Sequence, residues 1–303
     1  MPRAKKALVL FAFAVCSSNA KAQDIEPRAF SNAPVGMNFL IAGYGYTEGN
    51  VLFDPSVPLT DAHLRTNSPF LAYARALDAW GYSAKFDVIV PYVTLAGDAL
   101  YAGQPVSRNV SGFADPRFRF SFNFVGAPAL TLQEFTGYRQ DLIVGASLQV
   151  SAPWGQYDAT RIVNIGNNRW SFKPELGISK AWGSWTWELI PSITYYTDNN
   201  NYQNGGTFAQ APIYAAQGHV IHSFDSGIWL ALDVVHFTGG RTTTNGVADD
   251  NELRNSRMGA TIALPVDRKN SVKITAISGT STRTGSDIKA LGAAWQHRWG
   301  AGF

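Results

Sequence analysis

Cysteine is almost absent from the 303 residues: Cys16 is the single one. With its N-terminal segment set aside, the chain has no disulfide framework, no thiol nucleophile and no Cys-ligated metal. Charge is also scarce, at 16% against the usual quarter, and the length allows one or two soluble domains or a single barrel. No window approaches the ~18 uninterrupted apolar residues that a spanning helix requires. A polar tail is missing as well. The chain ends "WQHRWGAGF", residues 295–303, although termini are ordinarily polar and frayed.

The apparent basicity disappears on inspection. Arg3, Lys5 and Lys6 precede the apolar run Ala7–Val15, and Ala20-Lys21-Ala22 fits the A-x-A cleavage rule. Residues 1–22 are therefore expected to be a signal peptide cut after Ala22; a lipoprotein cut before Cys16 suits Val15 poorly, because a small residue is expected there. The 25 basic residues less the leader's four leave 21 against 22 acids, close to neutral. No basic stripe interleaved with aromatics survives, which sets nucleic-acid binding aside.

What the chain does have is alternation. In "FRFSFNF", Phe118, Phe120, Phe122 and Phe124 point one way and Arg117, Arg119, Ser121 and Asn123 the other. "YSAKFDVIVPYV" and "DLIVGASLQVSA" repeat the pattern. Twelve such segments are expected, near 37–46, 68–78, 82–94, 117–125, 141–152, 169–180, 185–196, 211–220, 227–237, 256–265, 271–279 and 287–303. The first, second and eighth are apolar on both faces. Connections alternate between short ("AWG", "AWGS", "VDRKN") and long ("TEGNVLFDPSVPLTDAHLRTN", "AGDALYAGQPVSRNVSGFADP").

Even-numbered up-and-down strands with unequal ends describe an all-β fold, a transmembrane antiparallel β-barrel. Residues 23–36 are expected to form a periplasmic N-terminal segment and 37–303 the barrel. A soluble β-sandwich also alternates, but it does not need tyrosine and tryptophan at strand ends, where Trp80, Trp154, Trp182, Trp185, Tyr195, Trp295 and Trp299 sit. Parity puts Phe303, Trp299 and Trp295 on the lipid face of the closing strand; this ending resembles the C-terminal signature of bacterial outer-membrane proteins, a resemblance that implies contact with the barrel-assembly machinery.

"EPRAFSNAPVGMNFLIAGYGYTEGNVLFDPS" (26–56) resembles the start of the putative MetA-pathway of phenol degradation family of Gram-negative outer-membrane proteins. The likeness continues in "FDVIVPYV" (86–93), "GFADPRFRFSF" (112–122), "SAPWGQYD" (151–158), "NIGNNRWSFKPELGISK" (164–180) and "GGRTTTNG" (239–246). It implies an outer-membrane barrel that transports small molecules, with a name pointing to aromatic compounds and no established catalytic motif.

With the apolar parity facing lipid, the opposite parity gives an expected pore lining: Lys85, Asp87, Arg117, Arg119, Asp141, Lys173, Glu175, Glu188, Asp233, Arg257, Lys273 and Arg298. An Arg or Lys at mid-bilayer on the lipid face costs ~2–4 kcal/mol, so most of these must turn inward. Lys85/Asp87 and Lys173/Glu175 are expected to pair locally; Arg117 and Arg119 have no neighbouring acid and are candidates for a cationic constriction. Pro91, Pro174, Pro191 and Pro265 are read as bulges or strand ends.

The expected function is passage of small molecules, the partners being outer-membrane lipid, lipopolysaccharide and the solute, with no cofactor and no metal. Two other readings stay open. One is a phospholipase-type barrel enzyme, for which "GHVIHSFDSG" offers His219, His222, Ser223 and Asp225; the other is a structural or adhesive barrel.

Overall fold

The computed structural model describes residues 25–52, 59–161 and 163–302. The expected signal peptide, its cleavage after Ala22 and the terminal Phe303 lie outside the described residues.

Lipid offers the backbone no hydrogen bonds, so a sheet that crosses it must close on itself. The strands are β1 (Met37–Leu52), β2 (Leu59–Ala79), β3 (Tyr82–Tyr101), β4 (Gln104–Phe113), β5 (Arg117–Val125) and β6 (Leu142–Ser151). They continue with β7 (Ser171–Trp182), β8 (Trp185–Tyr196), β9 (Asn199–Tyr202), β10 (Gly206–Gln210), β11 (Ile213–Ser223) and β12 (Trp229–Gly239). The last are β13 (Thr242–Thr244), β14 (Val247–Ala248), β15 (Leu253–Pro265), β16 (Asn270–Thr282) and β17 (Gly285–Gly300). A single turn of helix, α1 (Leu132–Phe135), interrupts the connection between β5 and β6.

The main sheet runs β2-β1-β17-β16-β15-β12-β11-β8-β7-β6-β5-β3, and β2 pairs with β3 to seal it. Among the described residues this is a closed barrel of twelve antiparallel strands, with β4 added on the outer part of β3. The twelve expected strands and their order are all present.

At one end the connections are tight, as at Trp80–Gly81, where both residues take the positive φ of a two-residue hairpin. At the other end the barrel outgrows the expected bounds. The stretches read as loops at 47–67 and 95–116 are largely strand: β1 and β2 run on to Leu52 and from Leu59, and β3 and β4 form a hairpin around Ala102–Gly103. Only ~9–11 residues of a tilted strand are needed to cross the hydrocarbon, whereas β2 has 21. Beyond the bilayer neither face meets lipid, so the ladder continues without alternating hydropathy. Arg283–Thr284 is likewise a bare turn between β16 and β17. Above the rim, β9, β10, β13 and β14 form a separate four-stranded sheet, joined to the barrel by Arg169, whose guanidinium lies over Tyr196 and Phe208.

The parity of the faces follows the sequence. Phe120, Leu148, Leu176, Leu232 and Trp187 are exposed on the outer wall, whereas their neighbours Ser121, Ser147, Glu175, Asp233 and Glu188 are buried on the inner one. Tyrosine and tryptophan gather at the two ends of that outer band, with Tyr44, Tyr92, Trp154, Trp170 and Tyr195 above and Trp80, Trp182, Trp185, Trp295 and Trp299 below. Pro91 lies where the partner of β3 changes from β5 to β4, and Pro265 ends β15.

Equilibrium unfolding in phospholipid bilayers checks this partition. Leu232→Arg is expected to cost about 2–4 kcal/mol, and Ser68→Arg, on the lumen side, within about 1 kcal/mol.

Candidate functional site

Twelve strands enclose more space than wall side chains fill. Part of it is taken by the chain itself. Residues 25–36, which the sequence leaves as a segment preceding the barrel on the periplasmic side, run into the lumen. The main-chain N–H of Gly36 donates to Ala76 O (2.9 Å) and that of Val35 to Leu130 O (2.8 Å) at the entrance. Deeper in, Phe30 is buried against Ala127, Ile143 and Ile190, and Ile25 against Ile213, Val235 and Phe237.

Glycine makes the room. Gly145 of β6 and Gly177 of β7 are register partners, and a Cβ on either would stand 2.9 or 2.1 Å from the Phe30 ring. Polar wall groups then satisfy the segment's backbone, as buried peptide groups require. Lys85 Nζ donates to Ala29 O (3.1 Å), Asn123 Nδ2 to Phe30 O (3.1 Å), and the Arg28 main-chain N–H to Glu188 Oε2 (2.7 Å). The Arg28 guanidinium lies over the Trp229 ring, 5.5 Å from its centroid.

Ten of the twelve expected lining residues face inward. Lys173 and Glu175 pair as expected, at 3.0 Å. Lys85 and Asp87 do not. Lys85 turns to the Ala29 carbonyl, while Asp87 Oδ2 accepts from Arg119 Nε across β3 and β5 at 3.1 Å. Arg119 is not a bare cation either, because the Glu26 carboxylate of the lumen segment also binds its Nη1. The expected constriction at Arg117 and Arg119 is thus an anchor for the segment at Arg119, with Arg117 beside it on the same face. Glu188 accepts from Ser179 Oγ (2.9 Å) in addition to Arg28, and Arg257 lies over Phe237 at 5.2 Å. Asp233 Oδ1 binds His219 Nδ1 at 2.7 Å, and Asp233 Oδ2 accepts from Thr261 Oγ1 at 3.0 Å.

Two expected residues sit at the periplasmic rim instead. Asp141 precedes β6, is exposed and pairs with Lys180; Arg298 Nε donates to Arg268 O (2.7 Å) and closes the turn between β15 and β16. Both belong to strand ends, where parity ceases to fix a face. The enzyme candidate does not assemble. His219 faces the lumen, whereas His222 is on the outer face between Trp185 and Phe224, with ring centroids 4.5 and 4.6 Å away. Trp295 and Trp299 are on the outer wall as expected, their rings on either side of His297.

The functional residues that sequence reasoning missed are Glu26, Arg28 and Phe30. Two signals for them were available: an arginine pair without a neighbouring acid, and two inward glycines facing each other. At the segment's entrance the α1 turn is held by a capping box, Glu134 N–H donating to Thr131 Oγ1 and Thr131 N–H to Glu134 Oε2. The Thr131 N–H and hydroxyl hold the Glu134 carboxyl below its ordinary value, so this stabilisation is present at neutral pH and is lost as pH falls through that lowered pKa.

The segment covers only part of the wall. Inner-face side chains of β6, β7, β8, β11, β12 and β15 are almost all buried. Midway along the wall those of β1, β2, β17 and the lower half of β16 stay partly exposed, among them Phe39, Ile41, Phe70, Ala72 and Ala294, whereas Met37, Ala74 and Ala76 below and Val51, Ser286 and Ile288 above are buried. A lane therefore runs between the segment and this second half of the wall, apolar over most of its surface. At its outer end Ile165 packs with Val93, Leu95 and Ala114. Asp115 knots the loops there, Oδ1 accepting from Gly155 N–H and Oδ2 from Asn167 N–H, both at 2.9 Å.

The model of the family described as "Putative MetA-pathway of phenol degradation" matches residues 45–295. The chain belongs to that family. Among solved structures, an outer membrane channel from Pseudomonas putida F1 superposes with a TM-score of 0.78 at 19% identity, over 91% of this chain and 100% of that one. The transport unit of the autotransporter AIDA-I from Escherichia coli gives 0.53 at 10% identity, over 92% and 94%. The β domain of the Bordetella autotransporter BrkA gives 0.52 at 8% identity, over 87% and 100%. These are likenesses of fold. No curated protein sequence matches the chain.

Limited trypsin digestion of the folded protein tests the lumen segment. Cleavage after Arg28 is expected to be slow in the wild type and at least about ten-fold faster in Gly177→Leu, where a side chain occupies the place of the Phe30 ring. Equal rates, read by mass spectrometry, would show that the ring is not what holds the segment.

Proposed function

We propose that this protein is an outer-membrane channel for small molecules, reached through a cleaved leader and inserted with the help of its closing strand. The carrying observation is the half-covered lumen. Buried charge and a folded-in segment fill one side, while the other keeps a lane of partly exposed residues over the middle of the barrel. The family's description and the likeness to the outer membrane channel from Pseudomonas putida F1 support the same reading.

A narrow, mostly apolar lane favours solutes that are small and largely hydrophobic over free flow of hydrophilic ones. Of the inward charges, Lys85, Arg119 and Glu188 fix the segment, and Asp87, Arg117, Lys173, Glu175, Asp233 and Arg257 act chiefly by setting the field in the lumen. Catalysis is no part of this reading. Outer-leaflet lipid and lipopolysaccharide are the partners of the aromatic outer wall.

Conductance of purified protein in planar bilayers is the decisive measurement, with small, discrete openings expected. Arg119→Glu removes the anchor of Glu26 and adds a carboxylate beside Asp87, so it is expected to raise conductance and move ion preference several-fold towards cations. A silent bilayer would refute the channel. An unchanged cation/anion ratio in the variant would remove Arg119 from the pathway.

A further inference from the structure

The uncovered half of the lumen is not uniformly apolar. Lys273 of β16 is in register with Ala294 of β17, Ala294 with Gly43 of β1, and Gly43 with Phe70 of β2. Residues directly opposite on adjacent strands point to the same face, so these four form one row across the inner wall. Ala294 and Gly43 put almost no side chain into the middle of the row, and the far end of the Phe70 ring takes the space over Gly43: a Cβ there would stand 2.2 Å from Phe70 Cζ. The next row, Thr275–Gly292–Gly45–Ser68, is also built from small residues. Together they leave a shallow slot with an aromatic ring at one side and an ammonium group at the other. Neighbouring strands are ~4.8 Å apart, so the α-carbons of Lys273 and Phe70 are separated by roughly 14 Å; with the Phe70 ring over Gly43, what is left open between ring and lysine is centred on Ala294.

Lys273 differs from the other inward cations. It is exposed within the lumen and no hydrogen bond of its ammonium group is seen among the described residues; its charge faces the Glu26 carboxylate and Lys85 only at a distance. Lys85, Lys173 and Arg119 are each bonded to the segment or to a wall carboxylate. A strongly hydrated point charge facing an apolar floor suits a ligand with one anionic end and one greasy body.

We propose that this slot is a binding site for small hydrophobic monocarboxylates, the carboxylate meeting Lys273 and the apolar body lying on Ala294 against the Phe70 ring that covers Gly43. The proposal rests on the channel reading and names the solute class that the lane selects.

Equilibrium dialysis of purified, detergent-solubilised protein against radiolabelled benzoate, benzyl alcohol and acetate tests it, with empty micelles as the blank. Benzoate is expected to bind at least about ten-fold more tightly than either comparison ligand, since only it uses both ends of the slot. Lys273→Met is expected to weaken benzoate about ten-fold and leave benzyl alcohol unchanged. Lys273→Arg is expected to restore benzoate, and Ala294→Phe, which fills the floor, to abolish both. Retained heat-modifiable gel mobility shows that each variant is folded. Equal binding of benzoate and acetate, or benzoate binding unaffected by Lys273→Met in folded protein, overturns the proposal. Benzoate binding with a silent bilayer removes the channel and keeps the site; conductance without benzoate binding does the reverse.

Discussion

The constraint on which everything else depends is that no backbone amide or carbonyl can be left unpaired in hydrocarbon. It forces β2 onto β3 and so closes the sheet, and closure creates an interior. With about eight strands wall side chains fill such an interior; with twelve they do not. The same requirement then applies inward. A lumen segment brings its own peptide groups, and Lys85, Asn123, Gln217 and Glu188 satisfy them. Two wall charges that look in sequence like pore selectivity residues, Lys85 and Glu188, are thus hydrogen-bonding partners of a thirteenth piece of backbone, and Arg119 holds that segment's Glu26 side chain.

This changes what the lumen charges mean. Arg119 faces two carboxylates, one from β3 and one from the segment, so its charge is compensated on site. Buried pairs of this kind contribute little net stability against an apolar alternative, but removing one partner leaves the other uncompensated at a large cost. They therefore serve better to specify where the segment lies than to strengthen the barrel. Phe30 supplies the apolar part of the same attachment, in a space that exists only because residues 145 and 177 lack a side chain.

The barrel itself was legible from sequence because two solvents, lipid outside and polar contents inside, impose a period of two. Phe118, Phe120 and Phe122 opposite Arg117, Arg119 and Ser121 carry that signal without ambiguity. Legibility failed where one solvent is absent. Above the bilayer β1, β2 and β3 continue through polar sequence that resembles loop. Within it, β1 and β2 are apolar on both faces because their inner faces line the lane, and β11 because Ile213 and Ile221 are buried inside. Asp141 and Arg298 were misplaced for a related reason: each sits where the strand ends. The lumen segment was invisible for a different one. Its contacts with Gln217 and Glu188 span more than 150 residues, and no local period reports a contact of that range.

The family motifs take on separate meanings in this geometry. "EPRAFSNAP" is the segment itself, and "GFADP", "SAPWGQYD" and "NIGNN" meet at Asp115, which ties Gly155 and Asn167 at the outer mouth. These motifs thus build the two obstructions, one inside the lumen and one above it. Lys273, Ala294 and Phe70 lie outside every motif quoted, and of their register row only Gly43 falls within one. A barrel assembled in this way separates its tasks physically. The half of the wall that holds the segment is committed by dense polar contacts, and changing a residue there disturbs the anchor. The uncovered half makes few contacts with anything but its own ladder, so its inner side chains are free to set the chemistry of the lane without altering the fold that creates it.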